Sequence, residues 1–446
     1  MNALYQRVCS RAWPLGAPLP RLTRFSSASS DAAEPAPTTA VATDRPPRRT
    51  RRPRNMTPQR DILQDVEYRH LVQRLLPDQV RDLGLGPTAV LSLPDGAARP
   101  SPTARQAYLQ WLEREFHGTM GYMARPDRIE RRLQYDRVLP GVRSILVTTL
   151  FYWPGRSGFP SPIGAVPADR GTVSCYAWGR DYHAILERKL HQLAEWLHGR
   201  VGGQGRYYVD TGAVLERDLG WRAGLGFVGK NSMLIHPRLG SGFFLGEILS
   251  TLPLPDSMPD TAGKGGCGTC RKCIRACPTG AIVADRVVDA RKCISYLTIE
   301  LKGTIPAALR RPMGSLIYGC DICQRVCPWN AFDWPVGVSH GRSPLFGAVD
   351  REQVAEPDLL HIVQMDEAAF RAAYAGTAVE RIGCERLRRN AAVALGNQGS
   401  AERALPVLRR LVADPRQSAL VREHAQWAVG ELEWRHGRGG QEANVS

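Results

Sequence analysis

Residues 267–278 read CGTCRKCIRACP. The spacing C-x2-C-x2-C-x3-C-P is that of bacterial ferredoxins, in which three cysteines hold one cubane and the fourth reaches to the other. Downstream stand Cys293 and then CDICQRVCP, with Cys320, Cys323 and Cys327-Pro328. A [4Fe–4S] cluster takes four thiolates, so these eight cysteines supply two clusters. The second run lacks one upstream ligand, and Cys293 can replace it. The spacing therefore assigns Cys267, Cys270, Cys273 and Cys327 to one cluster and Cys277, Cys293, Cys320 and Cys323 to the other. Two structural zincs are the alternative. Zinc sites usually pair one C-x2-C with another across a loop, and they call for neither the third cysteine nor the proline after the fourth.

Composition frames this module. The chain has 446 residues, enough for about two to four domains, and 43% of them are hydrophobic, enough for a sizeable core. The three remaining cysteines, Cys9, Cys175 and Cys384, are scattered, so there is no disulfide framework. Oxygen-sensitive clusters point to a reducing interior. No uninterrupted apolar run approaches the ~20 residues of a transmembrane helix. Net charge is +16, which suits a polyanionic partner such as nucleic acid without proving one.

Residues 1–60 carry 11 Arg and three acids, half of the net charge, and read as a disordered basic tail. The first 30 residues hold four Arg, five Ser and no acid, as mitochondrial transit peptides do. A plain extension, or a start at Met56, is the alternative. The expected location is cytoplasmic, with mitochondrial as the second reading.

Three ordered regions are expected: 61–256, 257–335 and 340–436. Residues 61–135 read as mainly helical, with one segment over 108–116. Ser144–Tyr152 reads as a strand and 181–198 as an amphipathic helix with Leu186, Leu190, Leu193 and Leu197 on one stripe. Residues 206–210 form a short strand that delivers Asp210, 214–223 a helix, and 242–246 the start of another strand. This alternation predicts an α/β (α+β) domain. Residues 251–266 read as a linker. Toward the C-terminus, residues 387–396 align with 421–430 at an offset of 34, with Ala391/Ala425, Ala394/Ala428 and Gly396/Gly430 matched. Paired helices at that period predict a HEAT-like module. Arg381, Arg386, Arg388 and Arg389 cluster there, either as a solvated helix face or as a phosphate-binding one.

Some motifs mislead. Gly224-Leu-Gly226-Phe-Val-Gly229-Lys230-Asn231 satisfies G-x-G-x-x-G and most of a P-loop. Both motifs need a strand before and a helix after, and here a helical segment precedes and a turn follows. The turn can still hold another phosphate-bearing ligand. Asp181-Tyr-His183 begins the D-x-H-x-x-G pattern of cobalt-ligating proteins, but Leu186 occupies the Gly position, so His183 is not a cobalt ligand. His117 and His236 read as hydrogen-bonded structural residues. Asp210 reads either as an N-cap or as a proton donor in a closed site, and the residues alone leave both open.

The ferredoxin run, together with VDTGAVLERDLGWRAGLGFVGKNSMLIHP (209–237), HGTMGYM (117–123), YAWGRDYH (176–183) and the helical tail, resembles the epoxyqueuosine reductase family over about residues 61–435. The resemblance implies cobalamin and two [4Fe–4S] clusters that deoxygenate epoxyqueuosine at the tRNA wobble position to give queuosine. It implies Asp210 as proton donor at the cobalamin, Arg132 near that cofactor, and Lys230 and Asn231 in the loop that holds its nucleotide tail. It implies tRNA as partner; the clustered Arg386, Arg388 and Arg389 are expected on its backbone, and an external low-potential electron donor, no membrane and a monomer are expected. A cobalamin-dependent reductive dehalogenase and a plain ferredoxin-type electron carrier are the rivals.

Overall fold

In Ser144-Ile-Leu-Val-Thr-Thr-Leu-Phe151 every position after Ser144 is β-branched or apolar, and seven of the eight residues are buried. A strand buried on both faces needs cover on both sides. In the computed structural model, which describes residues 66–94, 97–257, 259–331 and 351–442, it is the second of four sheet strands. These are β1 (Thr88–Ser92), β2 (Ser144–Phe151), β3 (Gly205–Tyr208) and β4 (Phe243–Ser250). Their order is β1-β2-β4-β3, and every pairing is antiparallel, with Ser144 opposite Ser250 and Phe151 opposite Phe243. The domain is therefore α+β, the second form of the expectation, and not a parallel α/β sheet.

Both faces are covered as the pattern requires. Helix α1 (Pro102–Glu113) starts at Ser101, whose side chain caps the Ala104 N–H, with Pro102 in the first turn. Helix α2 (Pro126–Leu133) follows. Helix α3 (Tyr182–Val201) lays Leu186, Leu190, Leu193 and Leu197 on the sheet face that carries Leu146, Leu150, Phe244 and Ile248. The approach is close: a Cβ on Gly246 would lie 2.9 Å from Leu190, so β4 needs glycine there. Helix α4 (Glu216–Arg222) contributes Leu219 to the other face, with Ile145, Val147, Leu245 and Leu249.

Two local expectations change. The mainly helical reading of 61–135 missed β1, because Thr-Ala-Val-Leu-Ser is too short for its period to distinguish strand from helix. The expected linker does not hang free at its start. The Asp256 carboxylate accepts from Ser92 N–H (2.6 Å), the Ser257 hydroxyl accepts from Val90 N–H (2.9 Å), and Ser257 N–H returns to Val90 O (3.1 Å). This segment thereby covers the open edge of the sheet.

The cysteine region docks on that domain. Leu316–Tyr318 pairs in parallel with Thr172–Val173, and Trp111 Nε1 donates to Val288 O (2.8 Å). Beyond it, α5 (Gly383–Gln398), α6 (Ala401–Ala413) and α7 (Ala419–Glu442) complete the chain. The two aligned decapeptides lie in α5 and α7, with Ala391, Ala394, Ala425 and Ala428 fully buried. Gly396 faces α7 so closely that a Cβ would sit 2.7 Å from Trp427. Residues 1–65 and 332–350 lie outside the described residues, and with them the basic tail and its transit-peptide reading. Among the described residues no helix is long and apolar enough to cross a membrane.

Candidate active site and cysteine pockets

Two short helices, Lys272–Arg275 and Ile322–Arg325, each carry the second cysteine of a C-x2-C pair, Cys273 and Cys323. The result is two pockets. One is lined by Cys267, Cys270, Cys273 and Cys327, with Lys230, Asn231 and Trp329. The other is lined by Cys277, Cys293, Cys320 and Cys323, with Ile282, Val288 and Ile294. The lining sets the cysteines in the same two groups as the spacing, with Cys293 beside Cys277, Cys320 and Cys323. The sulfurs ring each pocket. Among the described residues no group of three or more His, Cys, Asp or Glu closes on a single ion. Burial pushes the Cys293 and Cys327 thiols up to about 11. Bare thiols there stay neutral, and a cationic iron core is what stabilises them as thiolates. Backbone N–H groups aim at two sulfurs, Lys230 at Cys267 Sγ (3.4 Å) and Ala281 at Cys277 Sγ (3.2 Å). Such donors tune a cluster's potential.

The loop after β3 carries Asp210, which is 1% exposed and held at φ 69°. Asp210 caps no helix: α4 begins at Glu216, after Leu215. Its Oδ2 instead accepts from Tyr182 Oη at 2.5 Å and faces His183 Nε2 at 3.5 Å. Burial, then the Asp210 charge, pushes the Tyr182 phenol well above its ordinary range, so it remains a donor. The Asp181 carboxylate caps α3 through His183 N–H (3.0 Å) and lies 3.0 Å from His183 Nδ1. Arg381, from the turn before α5, binds both Asp181 oxygens (2.6 and 2.7 Å) and also meets His183 Nδ1. The five side chains form one buried polar network over the edge of the sheet.

The remaining expected residues fall in different places. Lys230 and Asn231 sit at the turn between Phe227–Val228 and Leu234–Ile235, against the first cysteine pocket. The Lys230 ammonium pairs with Asp285 (3.3 Å), and the Asn231 amide donates to Cys323 O (3.5 Å). Arg132 is fully buried, over the Tyr108 ring and against Met123 of the HGTMGYM segment. Arg386, Arg388 and Arg389 require a correction. Arg389 is fully buried and donates to the carbonyls of Leu297, Leu301 and Gly303. Arg386 donates to Ile299, Ile382 and Arg381 carbonyls, and Arg388 to Val363 O and Gln417. These guanidiniums tie α5 to its neighbours; the carbonyls that end the Ile294–Ile299 helix need donors. They are not an exposed phosphate-binding face.

Sequence reading missed the partners of Asp210. Its own D-Y-H tripeptide held the signal, dismissed there only as a cobalt ligand. It also missed Asp321, between two ligand cysteines, which accepts from Cys175 N–H (2.6 Å) and Ser174 Oγ.

The comparisons with known proteins follow this geometry. Residues 266–330 match the 4Fe-4S double cluster binding domain, a span holding all eight pocket cysteines. Residues 132–211, from Arg132 to just past Asp210, match the family described as Epoxyqueuosine reductase QueG, DUF1730. The epoxyqueuosine reductase of Vibrio cholerae is 41% identical over 72% of this chain and 83% of its own length. The chain belongs to the epoxyqueuosine reductase family. That of Burkholderia pseudomallei is 39% identical over 82% of this chain and 93% of its own length. An epoxyqueuosine reductase crystallised with an epoxyqueuosine-modified tRNA-Tyr stem loop superposes with a TM-score of 0.69, at 29% identity, over 81% of this chain and 90% of that one. A Bacillus subtilis member, solved with an aspartate-bearing catalytic loop swung out of its active site, gives 0.68 at 28% identity over 81% of this chain and 91% of that one. As a member of this family the chain is an oxidoreductase with two [4Fe–4S] clusters.

Proposed function

We propose that the chain reduces epoxyqueuosine in tRNA to queuosine, with Asp210 as the acid. The observation that carries this reading is a buried carboxyl, free of any capping duty, in the same fold as two four-cysteine pockets. Turning an epoxide into an alkene takes two electrons and two protons and releases water. When bound, the clusters and a cobalamin supply the low-potential electrons. The chain's own residues supply the proton and the dry site. Tyr182 and His183 both face Oδ2 of Asp210 and hold the carboxyl in place, and its proton passes to the departing epoxide oxygen.

Cobalamin is proposed from the family resemblance, with one feature of this structure in support. The Lys230–Asn231 turn assigned to it touches the first cysteine pocket through the Lys230 N–H, which favours placing the corrinoid beside that cluster. Both ring nitrogens of His183 face protein groups, which supports cobalt without a histidine ligand. The RNA partner is proposed from the related complex; its bound stem loop belongs to that protein. An external donor for the electrons is part of the same proposal.

The test is Asp210→Asn in an anaerobic assay with epoxyqueuosine-containing tRNA. Asn keeps the shape and cannot act as an acid, so turnover should fall by about 10²- to 10⁴-fold with iron content unchanged. Near-wild-type turnover in a folded variant overturns the assignment.

A further inference from the structure

Arg381 lies 200 positions from Asp181 in sequence, yet its Nη2 reaches both Asp181 oxygens and the Nδ1 of His183. A guanidinium has only donors. Nδ1 lies between this donor and the Asp181 carboxylate 3.0 Å away, which can only accept; because Arg381 also ties up both Asp181 oxygens, the arrangement favours a bare Nδ1 and a neutral ring with its proton on Nε2. Nε2 is buried, makes no hydrogen bond of ordinary length, and is aimed at Asp210 Oδ2 from 3.5 Å. Catalytic hydrogen bonds are often long before substrate binds. On the basis of the function proposed above, we propose that Arg381 is a positioning residue: it fixes His183 as the Nε2–H tautomer, and that N–H orients Asp210 for proton delivery. The helical C-terminal region thereby takes part in the chemistry, through a residue that touches no substrate.

The charged groups facing His183 come from three elements. Asp181 caps its own helix, Arg381 comes from the Ala378–Ile382 turn, and Asp210 comes from the loop after β3. Glu187, one turn along α3, feels the charges of Asp181 and Arg381. Burial, foremost, lowers the tendency of His183 to protonate; Asp181 opposes this and Arg381 reinforces it. Loss of Arg381 therefore leaves Asp181 to draw a proton onto Nδ1, turning the ring toward the other tautomer or the imidazolium.

The experiment uses full-length protein carrying its clusters and cobalamin. Arg381→Gln should lower kcat by about tenfold to a hundredfold, the scale of a misplaced catalytic group, with KM for an epoxyqueuosine stem loop unchanged. Its kcat–pH profile should acquire an ionisation that the wild type lacks. His183→Gln should cost a similar factor, and the double variant should lose no more than either alone, because the two act as a unit. Ring-15N signals of His183, identified by their absence in His183→Gln, should show bare Nδ1 and protonated Nε2 only while Arg381 is present. Parallel pH profiles, multiplicative losses or unchanged ring signals overturn the proposal. If Arg381→Gln fails to retain iron, Arg381→Lys takes its place. Lys keeps the pair with Asp181 but cannot also span to His183, so the same pH change is expected. If wild-type protein does not turn over the stem loop, the proposed function fails, and the ring signals still decide whether Arg381 sets the tautomer.

Discussion

Seven of the eight pocket cysteines sit in two short runs, 267–277 and 320–327, whereas the polar groups around Asp210 come from residues 181–183, 210 and 381. In the cysteine runs a single helical turn carries the second cysteine of a C-x2-C pair, so the pockets depend on local chain geometry and on residue type. Around Asp210 the geometry depends on three regions of the chain packing together. The first arrangement loses a whole cofactor when one residue changes. The second loses alignment in small steps, because each partner orients the next.

Cys293 tests the first side of this contrast and carries the largest expected effect. Cys293→Ala should reduce iron after anaerobic reconstitution from about eight per chain to about four, the content of one cubane, and abolish reduction. The pocket of Cys267, Cys270, Cys273 and Cys327 should keep its cluster. Loss of all iron means the two pockets are not independent, and full retention means Cys293 is no ligand.

Arg389 sharpens the boundary between structural and functional arginines. Its guanidinium satisfies three carbonyls in the interior. Arg389→Gln leaves buried acceptors unpaired and should cost about 3 kcal/mol, at roughly 1–3 kcal/mol per orphaned group with partial repair by Gln. The melting temperature should drop, while the salt dependence of RNA binding by the folded fraction stays as in wild type. A flattened salt slope with unchanged melting restores the phosphate-binding reading.

Glu247 gives an effect that grows from nothing with pH and probes the sheet that supports both regions. It is fully buried in β4, both its oxygens lack hydrogen bonds, and burial, reinforced by the charge of Glu216, raises its pKa well above the usual carboxylate value of 4.5. A raised folded-state pKa contributes stability that is present below 4.5 and is lost as pH rises toward the folded value. Glu247→Gln removes that dependence. Relative to wild type it should gain about 1.4 kcal/mol per pH unit above 4.5 until the folded pKa is passed. Equal pH dependence of melting in the two proteins places the proton elsewhere.

The grouping of the cysteines around two pockets was legible in the chain because their spacing is a covalent fact: x2 and x3 gaps fix which thiols one turn can gather. The Leu186–Leu197 stripe and the β2 run were legible because burial imposes their period. Antiparallel pairing was not, since strand periodicity is the same in either direction and only the partner fixes it. The fate of the arginines was not legible either. The sequence by itself determined that Arg386, Arg388 and Arg389 share a helix. Tertiary structure decided that Arg386 and Arg389 face open carbonyls at the end of Ile294–Ile299, and that Arg388 bonds Val363 O and Gln417. Likewise the sequence placed an aspartate after a strand, and only folding brought Tyr182, His183 and Arg381 to it. Hydrogen bonds between residues far apart in the chain leave no local pattern, because their geometry exists only once the elements that carry them have packed.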